Sequence, residues 1–140
     1  MMSCVSIACI AYENGRIFIA HRNPSGDMGG RWEFPGGKVE EGETDEQAIV
    51  REMSEEFGVT VTVCEKIAES EFTHNGKVSQ LHAYRILLPY DGIEKEFVLT
   101  EHSGYDWVEP REIQELSFVD SDARIYPQVL AYIYSLKNGK

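Results

Sequence analysis

The stretch GGKVEEGETDEQAIVREMSEEFGV, residues 36–59, is rich in glutamate and carries glycines near both ends. The downstream part of this stretch is predicted to form a helix. Thr44 is a favourable N-cap, and Gln47 three residues later completes a capping box. Gly58 stands where a helix would end in the left-handed conformation. We therefore predict a helix that begins after Thr44 and ends at Gly58.

The apolar residues of this helix recur at four-residue spacing. Ile49, Met53 and Phe57 form a stripe on one side, which is typical of a helix that packs against a core. We therefore expect this side of the helix to face the interior.

The same helix carries three glutamates close together. Glu52, Glu55 and Glu56 stand at i, i+3 and i+4, so one face carries three carboxylates that repel one another. Arg51 can reach Glu55 at i+4 but is not expected to neutralise the other carboxylates. A solvated acidic face is the common explanation for such a run. A cation bound among the carboxylates is the alternative.

The segment Phe34-Pro35-Gly36-Gly37 is predicted to form a loop before the helix. Its glycines let the backbone approach a ligand closely and can leave a carbonyl oxygen available as a ligand. Carbonyl and carboxylate oxygens suit hard cations such as Mg²⁺ or Mn²⁺ better than zinc. The loop and the acidic helix together favour a divalent metal site.

The spacing of these residues also fits a known motif. Gly37, Glu43 and residues 51–59 match G-x5-E-x7-R-E-U-x-E-E-x-G-U, with U apolar, at all nine specified positions. The chain therefore resembles the Nudix family, whose members hydrolyse nucleoside diphosphates linked to another group. The resemblance implies one domain over residues 1–140. Its implied fold is an α/β/α sandwich, with a mixed β-sheet between helices.

The resemblance implies roles for the acidic residues. It assigns Mg²⁺ or Mn²⁺ to the Gly36 carbonyl, Glu52, Glu55 and Glu56. Glu52 or a neighbouring carboxylate would orient or deprotonate the attacking water. Glu43 corresponds to the family's glutamate that holds the arginine of the motif, here Arg51, in place.

Glu101 is a further candidate for the metal site. It lies six residues before Trp107 in TEHSGYDW, a spacing that resembles the MutT-type subgroup of the family. In that subgroup a glutamate from this loop joins the metal site or acts as the base, and both roles are kept open here. An ordinary loop carboxylate is the alternative explanation.

The resemblance to MutT-like proteins extends to the substrate. Arg22 matches a phosphate-contacting arginine, and Phe34 with Pro35 matches residues that line the base pocket. Gly37 and Lys38 complete the expected substrate-binding set. A surface arginine and a phenylalanine packed in the core are the alternatives for Arg22 and Phe34.

The base-reading position of this subgroup falls in SFVDSDARI. Asp122 is the preferred residue and Asp120 the rival, while a helix cap formed by Asp120, Ser121 or Asp122 is the alternative. An ionised aspartate only accepts hydrogen bonds, which favours cytosine derivatives or guanine; a protonated one can also donate. The position departs from the asparagine associated with 8-oxoguanine.

The remaining chain predicts short strands and two further helices. The predicted strands are residues 3–12, 16–21, 32–34, 59–63, 67–72, 78–88 and 104–108. Asn14-Gly15 and Asn75-Gly76 predict tight hairpin turns. A short helix is predicted at 110–116 and a final one at 121–136, with an irregular or later start because of Pro127. Residues 91–99 are ambiguous.

Composition limits the partners and the compartment. A formal net charge of −11 argues against a nucleic-acid polymer as partner but is compatible with a small phosphorylated substrate. Cys4, Cys9 and Cys64 lack CxxC spacing, so we expect buried free thiols in a reducing compartment. The opening MMSCVSIACIAY is interpreted as a strand, not as a signal peptide. We expect a cytoplasmic protein, monomeric or homodimeric, without a membrane partner.

The function expected from these residues is hydrolysis of a nucleoside triphosphate to the monophosphate and pyrophosphate. An oxidised purine or a cytosine-type (d)NTP is the expected substrate, in nucleotide-pool cleaning. A Nudix hydrolase of ADP-ribose or a dinucleoside polyphosphate is the alternative. A non-catalytic nucleotide sensor fits less well, because Glu52, Glu55 and Glu56 are all retained.

Overall fold

The computed structural model describes residues 4–24, 29–89 and 102–139 of the chain. Its strands are β1 (Cys4–Glu13), β2 (Arg16–Arg22), β3 (Trp32–Glu33), β4 (Gly36–Lys38), β5 (Thr62–His74), β6 (Lys77–Leu87) and β7 (His102–Val108). The helices are α1 (Asp45–Phe57), a 3₁₀ helix (Pro110–Glu115) and α2 (Asp120–Gly139). The ambiguous segment 91–99 and the candidate Glu101 lie outside the described residues.

The strands form a mixed sheet, as the sequence predicted. β1 runs parallel to β6 and antiparallel to β4, and β5 pairs with β6 in antiparallel orientation. β2 pairs with β1, β3 and β7, all antiparallel. β1 therefore joins the two parts of the sheet, with β4 at its side where α1 begins.

Tight turns set the two hairpins. Asn14 and Gly15 have φ angles of 53° and 78°, and Asn75 and Gly76 have 53° and 75°. Two successive residues with positive φ suit the right-handed twist of the flanking strands, and Asn-Gly adopts this conformation readily. Both predicted Asn-Gly turns are confirmed.

Helix α1 is capped as predicted. The Thr44 hydroxyl accepts a hydrogen bond from the Gln47 backbone N–H, and the Gln47 side chain accepts one from the Thr44 N–H. Gly58 ends the helix with a φ of 65°, and its N–H donates to the Ser54 carbonyl. These contacts satisfy backbone groups that helix ends otherwise leave unpaired.

The two principal helices cover different sets of buried residues. The predicted stripe of α1, Ile49, Met53 and Phe57, is buried in a cluster with Ile7, Cys9 and Phe18. The equivalent stripe of α2, Ile125, Val129 and Ile133, is buried with Ala8, Ile10 and Ile17. Because neighbouring β1 residues alternate between the clusters, the sheet lies between the helices. The α/β sandwich is confirmed.

Two predicted boundaries were wrong. Residues 59–63 and 67–72 do not form separate strands, because β5 runs continuously from Thr62 to His74. The register in which β5 pairs with β6 shifts between Val63 and Lys66 and again between Lys66 and Ala68, as in a β-bulge, so the strand continues through this segment. Gly36 and Gly37 were expected in a loop but belong to β4, which pairs with β1.

Helix α2 begins earlier than expected and contains Pro127. It starts at Asp120, and Pro127 lies inside it. Proline removes one backbone hydrogen bond. The helix nevertheless continues, because residues on both sides of the proline, Ile125 and Val129, are fully buried in the core.

All three cysteines are free. Cys9 is buried, whereas Cys4 and Cys64 are half-buried, so the prediction of buried thiols was right only for Cys9. Burial, with additional repulsion from Glu52 and Asp122, raises the pKa of the Cys9 thiol. Within the described residues, the helices are too short or too polar to cross a membrane.

Candidate active site

The two glycines of β4 allow close contacts on both sides of the strand. A Cβ atom on Gly36 would lie 1.9 Å from the Ile7 backbone oxygen, and one on Gly37 would lie 1.6 Å from Oε2 of Glu52. Neither distance is compatible with a side chain. Glycine at these positions therefore lets β4 pair with β1 and lets the Glu52 carboxylate lie against the backbone.

Arg51 and Glu43 brace the start of α1. The Arg51 Nε donates to Glu43 at 2.6 Å and its Nη2 donates to the other carboxylate oxygen at 3.0 Å. The same nitrogen donates to the Lys38 carbonyl at 3.1 Å, and Glu43 also accepts from the Glu40 N–H. The bonds from Arg51 and Glu40 hold the pKa of Glu43 below its ordinary value. Arg51 thus ties the segment before the helix to the helix itself.

Arg51 contacts more carboxylates than predicted. Its Nη1 lies 3.2 Å from Glu55 and 3.8 Å from both Glu52 and Glu40, in addition to the paired Glu43. The hydrogen bond to Glu43, together with the charges of Glu52 and Glu40, raises the Arg51 pKa above its ordinary value. The expected contacts of Arg51 with Glu55 and Glu43 are present, and two further carboxylates lie near the guanidinium: Glu52 of α1 and Glu40 of the segment that folds back before it.

The three glutamates of α1 that are candidate metal ligands lie in different environments. The Glu52 side chain is 18% exposed and Glu55 is 63% exposed, whereas Glu56 is buried. Among the described residues, no three Asp, Glu, His or Cys side chains form a group arranged to hold a metal. Glu101, the remaining candidate ligand, is not described.

The donors at this position nevertheless suit a hard divalent cation. They are oxygen atoms: the Glu52 carboxylate packed against Gly37, and the backbone carbonyl of Gly36, a residue that lines the same cleft as Glu52. Magnesium generally binds through one or two carboxylates and substrate phosphates while it keeps several waters. The arrangement around Glu52 therefore fits magnesium without a complete cage of protein ligands.

A cleft of about 620 Å³ begins at this point. Its lining includes the predicted residues Gly36, Gly37, Lys38, Arg51 and Glu52. It also includes three residues predicted to bind substrate, Arg22, Phe34 and Asp122. The cleft thus brings together residues from β2, β4, α1 and α2 that are distant in sequence.

Asp122 is the buried carboxyl group of this cleft. It is 6% exposed and accepts a hydrogen bond from the Phe34 backbone N–H at 2.8 Å. Burial, followed by repulsion from Glu33, raises its pKa to about 8, although the Phe34 hydrogen bond and Arg22 act in the opposite direction. At neutral pH this group is therefore mainly protonated and can donate a hydrogen bond.

Asp120 lies outside the cleft, on the exposed surface. Its side chain is 69% exposed and forms an ion pair with Arg31 at 2.9 Å. It does not line the cleft. Of the two aspartates that the sequence left open, the structure brings Asp122 to the cleft.

Phe34 and Pro35 are both buried and pack mainly against the interior of the protein. Phe34 is 2% exposed, and its ring meets Phe118 edge-on at 5.1 Å, although it also borders the cleft. Pro35 is buried, and its carbonyl accepts a hydrogen bond from the Cys9 N–H at 2.7 Å. Pro35 is not among the residues that line the cleft.

Arg22 reaches the cleft from the end of β2. Its Nη1 contacts both carboxylate oxygens of Glu33, at 3.2 and 3.3 Å. Its Nε is buried and has no hydrogen-bond partner within the described residues. The Arg22 side chain is 34% exposed, so it is partly buried and partly open to the cleft that it lines.

The cleft also contains residues that the sequence did not indicate, among them Ser6, Glu33, Glu40, Phe72, Leu81 and Ser121. Glu33 precedes Phe34, so its position was foreseeable once Phe34 had been chosen. Phe72 ends a predicted strand and was recognisable as a large aromatic residue there. Its placement depends on the register in which Ser70 pairs with Leu81, which the sequence does not show.

The sandwich fold, the braced acidic helix and this cleft are features of a phosphoanhydride hydrolase. The model of the NUDIX domain matches residues 2–129. The chain belongs to the Nudix family and is a hydrolase of that family. Nudix proteins generally use divalent metal ions.

Individual relatives support this conclusion. The chain is 32% identical over 125 residues to a CTP pyrophosphohydrolase of Escherichia coli (strain K12), covering 89% of this chain and 90% of the relative. It is 31% identical over 126 residues to an 8-oxo-dGTP diphosphatase of Haemophilus influenzae, covering 90% of each. The solution structure of the E. coli ORF135 protein superposes with a TM-score of 0.77 at 32% identity, covering 94% of this chain and 91% of that protein.

Proposed function

We propose that this protein hydrolyses a nucleoside triphosphate to a nucleoside monophosphate and pyrophosphate, with Mg²⁺ or Mn²⁺ as cofactor. The main support is the cleft that joins Glu52 and the β4 glycines to Arg22 and Asp122. Phosphates and base of one nucleotide can occupy these two regions together. A volume of about 620 Å³ falls within the usual range for small-molecule sites.

In the proposed reaction, water attacks a phosphorus atom of the α–β anhydride. A new P–O bond forms, the bridging P–O bond breaks, and the water loses a proton; attack at the α-phosphorus expels pyrophosphate, whereas attack at the β-phosphorus expels the nucleoside monophosphate. Glu52 orients the water or accepts this proton, and Glu101 is the alternative base. Arg22 binds a phosphate oxygen. The divalent ion, when bound, neutralises charge on the phosphate oxygens.

The proposed metal ligands are the Gly36 carbonyl, Glu52, Glu55, Glu56 and Glu101. Glu52 is supported by its contact with the Gly37 backbone, and Glu55 by its exposure beside Arg51. Arg51 and Glu43 hold α1 against β4, so they position Glu52 without contacting the reacting atoms.

The base is proposed to be read by Asp122. Because the pKa of Asp122 is about 8, its protonated carboxyl can donate to an acceptor such as N3 of cytosine or O6 of an oxidised guanine. Its other oxygen can accept from an amine or ring N–H. The relatives named for CTP and 8-oxo-dGTP chemistry are consistent with either base.

A substrate panel tests the proposal. Purified protein with Mg²⁺ is given CTP, dCTP, 8-oxo-dGTP, the other canonical NTPs and dNTPs, ADP-ribose, a dinucleoside polyphosphate and a 5′-triphosphorylated RNA. The products are identified as phosphate or pyrophosphate. We expect pyrophosphate release from a cytosine-type or oxidised-purine nucleotide. Turnover restricted to ADP-ribose, the dinucleoside polyphosphate or RNA would refute the proposed substrate class.

The variant Glu52→Gln separates an enzyme from a nucleotide sensor. It keeps the shape of the side chain but removes the charge, so we expect kcat to fall by about 100-fold or more while the protein stays folded. Glu69→Gln is the matched control, because Glu69 pairs with Lys66 and does not line the cleft. Equally negligible turnover in wild type and Glu52→Gln, with tight nucleotide binding by both, would support the sensor.

A further inference from the structure

The wall of the cleft that carries Asp122 is assembled from two segments far apart in the sequence. Residues 31–34 contain β3, and residues 117–122 lead into α2. We refer to these two segments together as the clamp. Trp32 and Phe118 form a parallel bridge between them.

Backbone hydrogen bonds run along the centre of the clamp. The Trp32 N–H donates to the Ser117 carbonyl at 2.8 Å, and the Val119 N–H donates to the Trp32 carbonyl at 2.9 Å. At the inner end the Phe34 N–H donates to the Asp122 carboxyl. The orientation of Asp122 therefore depends on how these two segments are aligned.

An ion pair between Arg31 and Asp120 joins the two segments at the solvent-exposed end of the clamp, which we call its outer end. The Arg31 Nη1 lies 2.9 Å from Asp120 and also reaches the Phe118 carbonyl at 3.5 Å. The two side chains are 38% and 69% exposed, so neither contributes to the core. Asp120 stands two residues before Asp122, and Arg31 three residues before Phe34. The ion pair is thus separated by only one to two residues from the two partners of the Phe34–Asp122 hydrogen bond, so a shift at this end would be expected to move Asp122.

We propose that Arg31 and Asp120 are positioning residues that align the clamp and thereby set the affinity for the nucleotide base. This inference rests on the proposed function, because it assumes that Asp122 reads the base. Arg31 and Asp120 do not line the cleft, so they act through Phe34 and Asp122 and not by contact with substrate. Their loss should weaken binding while leaving the chemistry at Glu52 intact.

Steady-state kinetics of Arg31→Gln, Asp120→Asn and the double variant test the proposal, with the nucleotide that wild type hydrolyses best. We expect KM to rise roughly fivefold in each single variant, the upper effect of an exposed ion pair, with kcat within twofold of wild type. The double variant should resemble the single ones, because the two residues act as a pair. Arg31→Lys retains the charge and should restore most of the affinity.

Lys66→Gln is the matched control. It breaks an ion pair of similar exposure and 2.9 Å length that lies away from the cleft, so KM should remain at the wild-type value. Backbone amide exchange gives a second readout that needs no substrate. Exchange at the N–H groups of Trp32, Phe34 and Val119 should accelerate in Arg31→Gln and not in Lys66→Gln.

The outcomes are distinguishable. Unchanged KM in Arg31→Gln overturns the inference, including the case in which exchange accelerates, because the pair would then be only structural. A fall in kcat with unchanged KM also overturns it. If wild type hydrolyses no nucleoside triphosphate, the proposed function fails, and the inference falls with its premise.

Discussion

Asp122 shows how a single residue acquires its chemistry from its surroundings. An aspartate in water is ionised at neutral pH, whereas Asp122 is 6% exposed and faces the charge of Glu33. Its carboxyl therefore remains mainly protonated at neutral pH and is half ionised only at a pH of about 8. A group that only accepts hydrogen bonds in the unfolded chain becomes a donor in the folded protein.

The raised pKa of Asp122 predicts a pH dependence of stability. The pKa rises from 3.8 in its ordinary state to about 8 in the fold. Between these values the unfolded chain is ionised and the native state is protonated. The contribution of this group to the free energy of unfolding therefore falls as pH increases through that window.

Urea unfolding of wild type and Asp122→Asn at pH 5 and pH 8 measures this effect. Asparagine can still accept the hydrogen bond from Phe34 but does not titrate. We expect the stability of wild type relative to the variant to fall by up to about 4 kcal/mol between the two pH values, at about 1.4 kcal/mol per pKa unit. A difference that stays constant or increases with pH would contradict the raised pKa.

At the scale of elements, β4 is the part that connects fold and site. It is three residues long, and both of its glycines are required by contacts on different sides. Gly36 faces the backbone of β1, which cannot move without loss of strand pairing. Gly37 faces the end of the Glu52 side chain, which can rotate. Replacing Gly36 should therefore lower stability, whereas replacing Gly37 should displace Glu52 and lower activity.

Gly36→Ala and Gly37→Ala test this difference. Gly36→Ala should lower Tm by several degrees, because its Cβ would meet the Ile7 carbonyl at 1.9 Å. Gly37→Ala should keep a Tm close to wild type but lower kcat about 100-fold, because Glu52 is displaced from its position. Thermal unfolding and kinetics of both variants provide the measurement. A kcat of Gly37→Ala within twofold of wild type would show that the position of Glu52 is unimportant.

At the scale of the whole molecule, charge is concentrated where the proposed chemistry occurs. The chain has a formal net charge of −11, and the guanidinium of Arg51 already lies within 4 Å of four carboxylates. Further negative charge from a triphosphate therefore requires additional cations. This favours entry of the nucleotide together with its divalent metal ion.

Metal dependence is thus expected for both activity and stability. A chelator should abolish hydrolysis, and Mg²⁺ should restore it. Because a ligand that binds the native state raises stability, millimolar Mg²⁺ should also raise Tm, and the rise should be smaller in Glu52→Gln than in wild type. Glu69→Gln should keep the full rise. An equal Tm increase in all three proteins would place the bound metal away from Glu52.

Part of the fold follows from local rules. The capping box of Thr44 and Gln47, the Gly58 terminus and the two Asn-Gly turns each depend on a few neighbouring residues. The sequence therefore predicted them correctly. Strand β4 was missed, because two glycines have no local preference for a strand. Its formation depends on the long-range pairing with β1.

The same distinction applies to the site. The sequence by itself determined the family and the acidic helix, and the family motif implied the pairing of Arg51 with Glu43, which stand eight residues apart and are not neighbours by helix spacing. Only the tertiary structure decided that Asp122 and not Asp120 enters the cleft, and that Arg51 reaches four carboxylates. Those outcomes depend on contacts between segments up to about 90 residues apart and on burial, which local sequence does not encode.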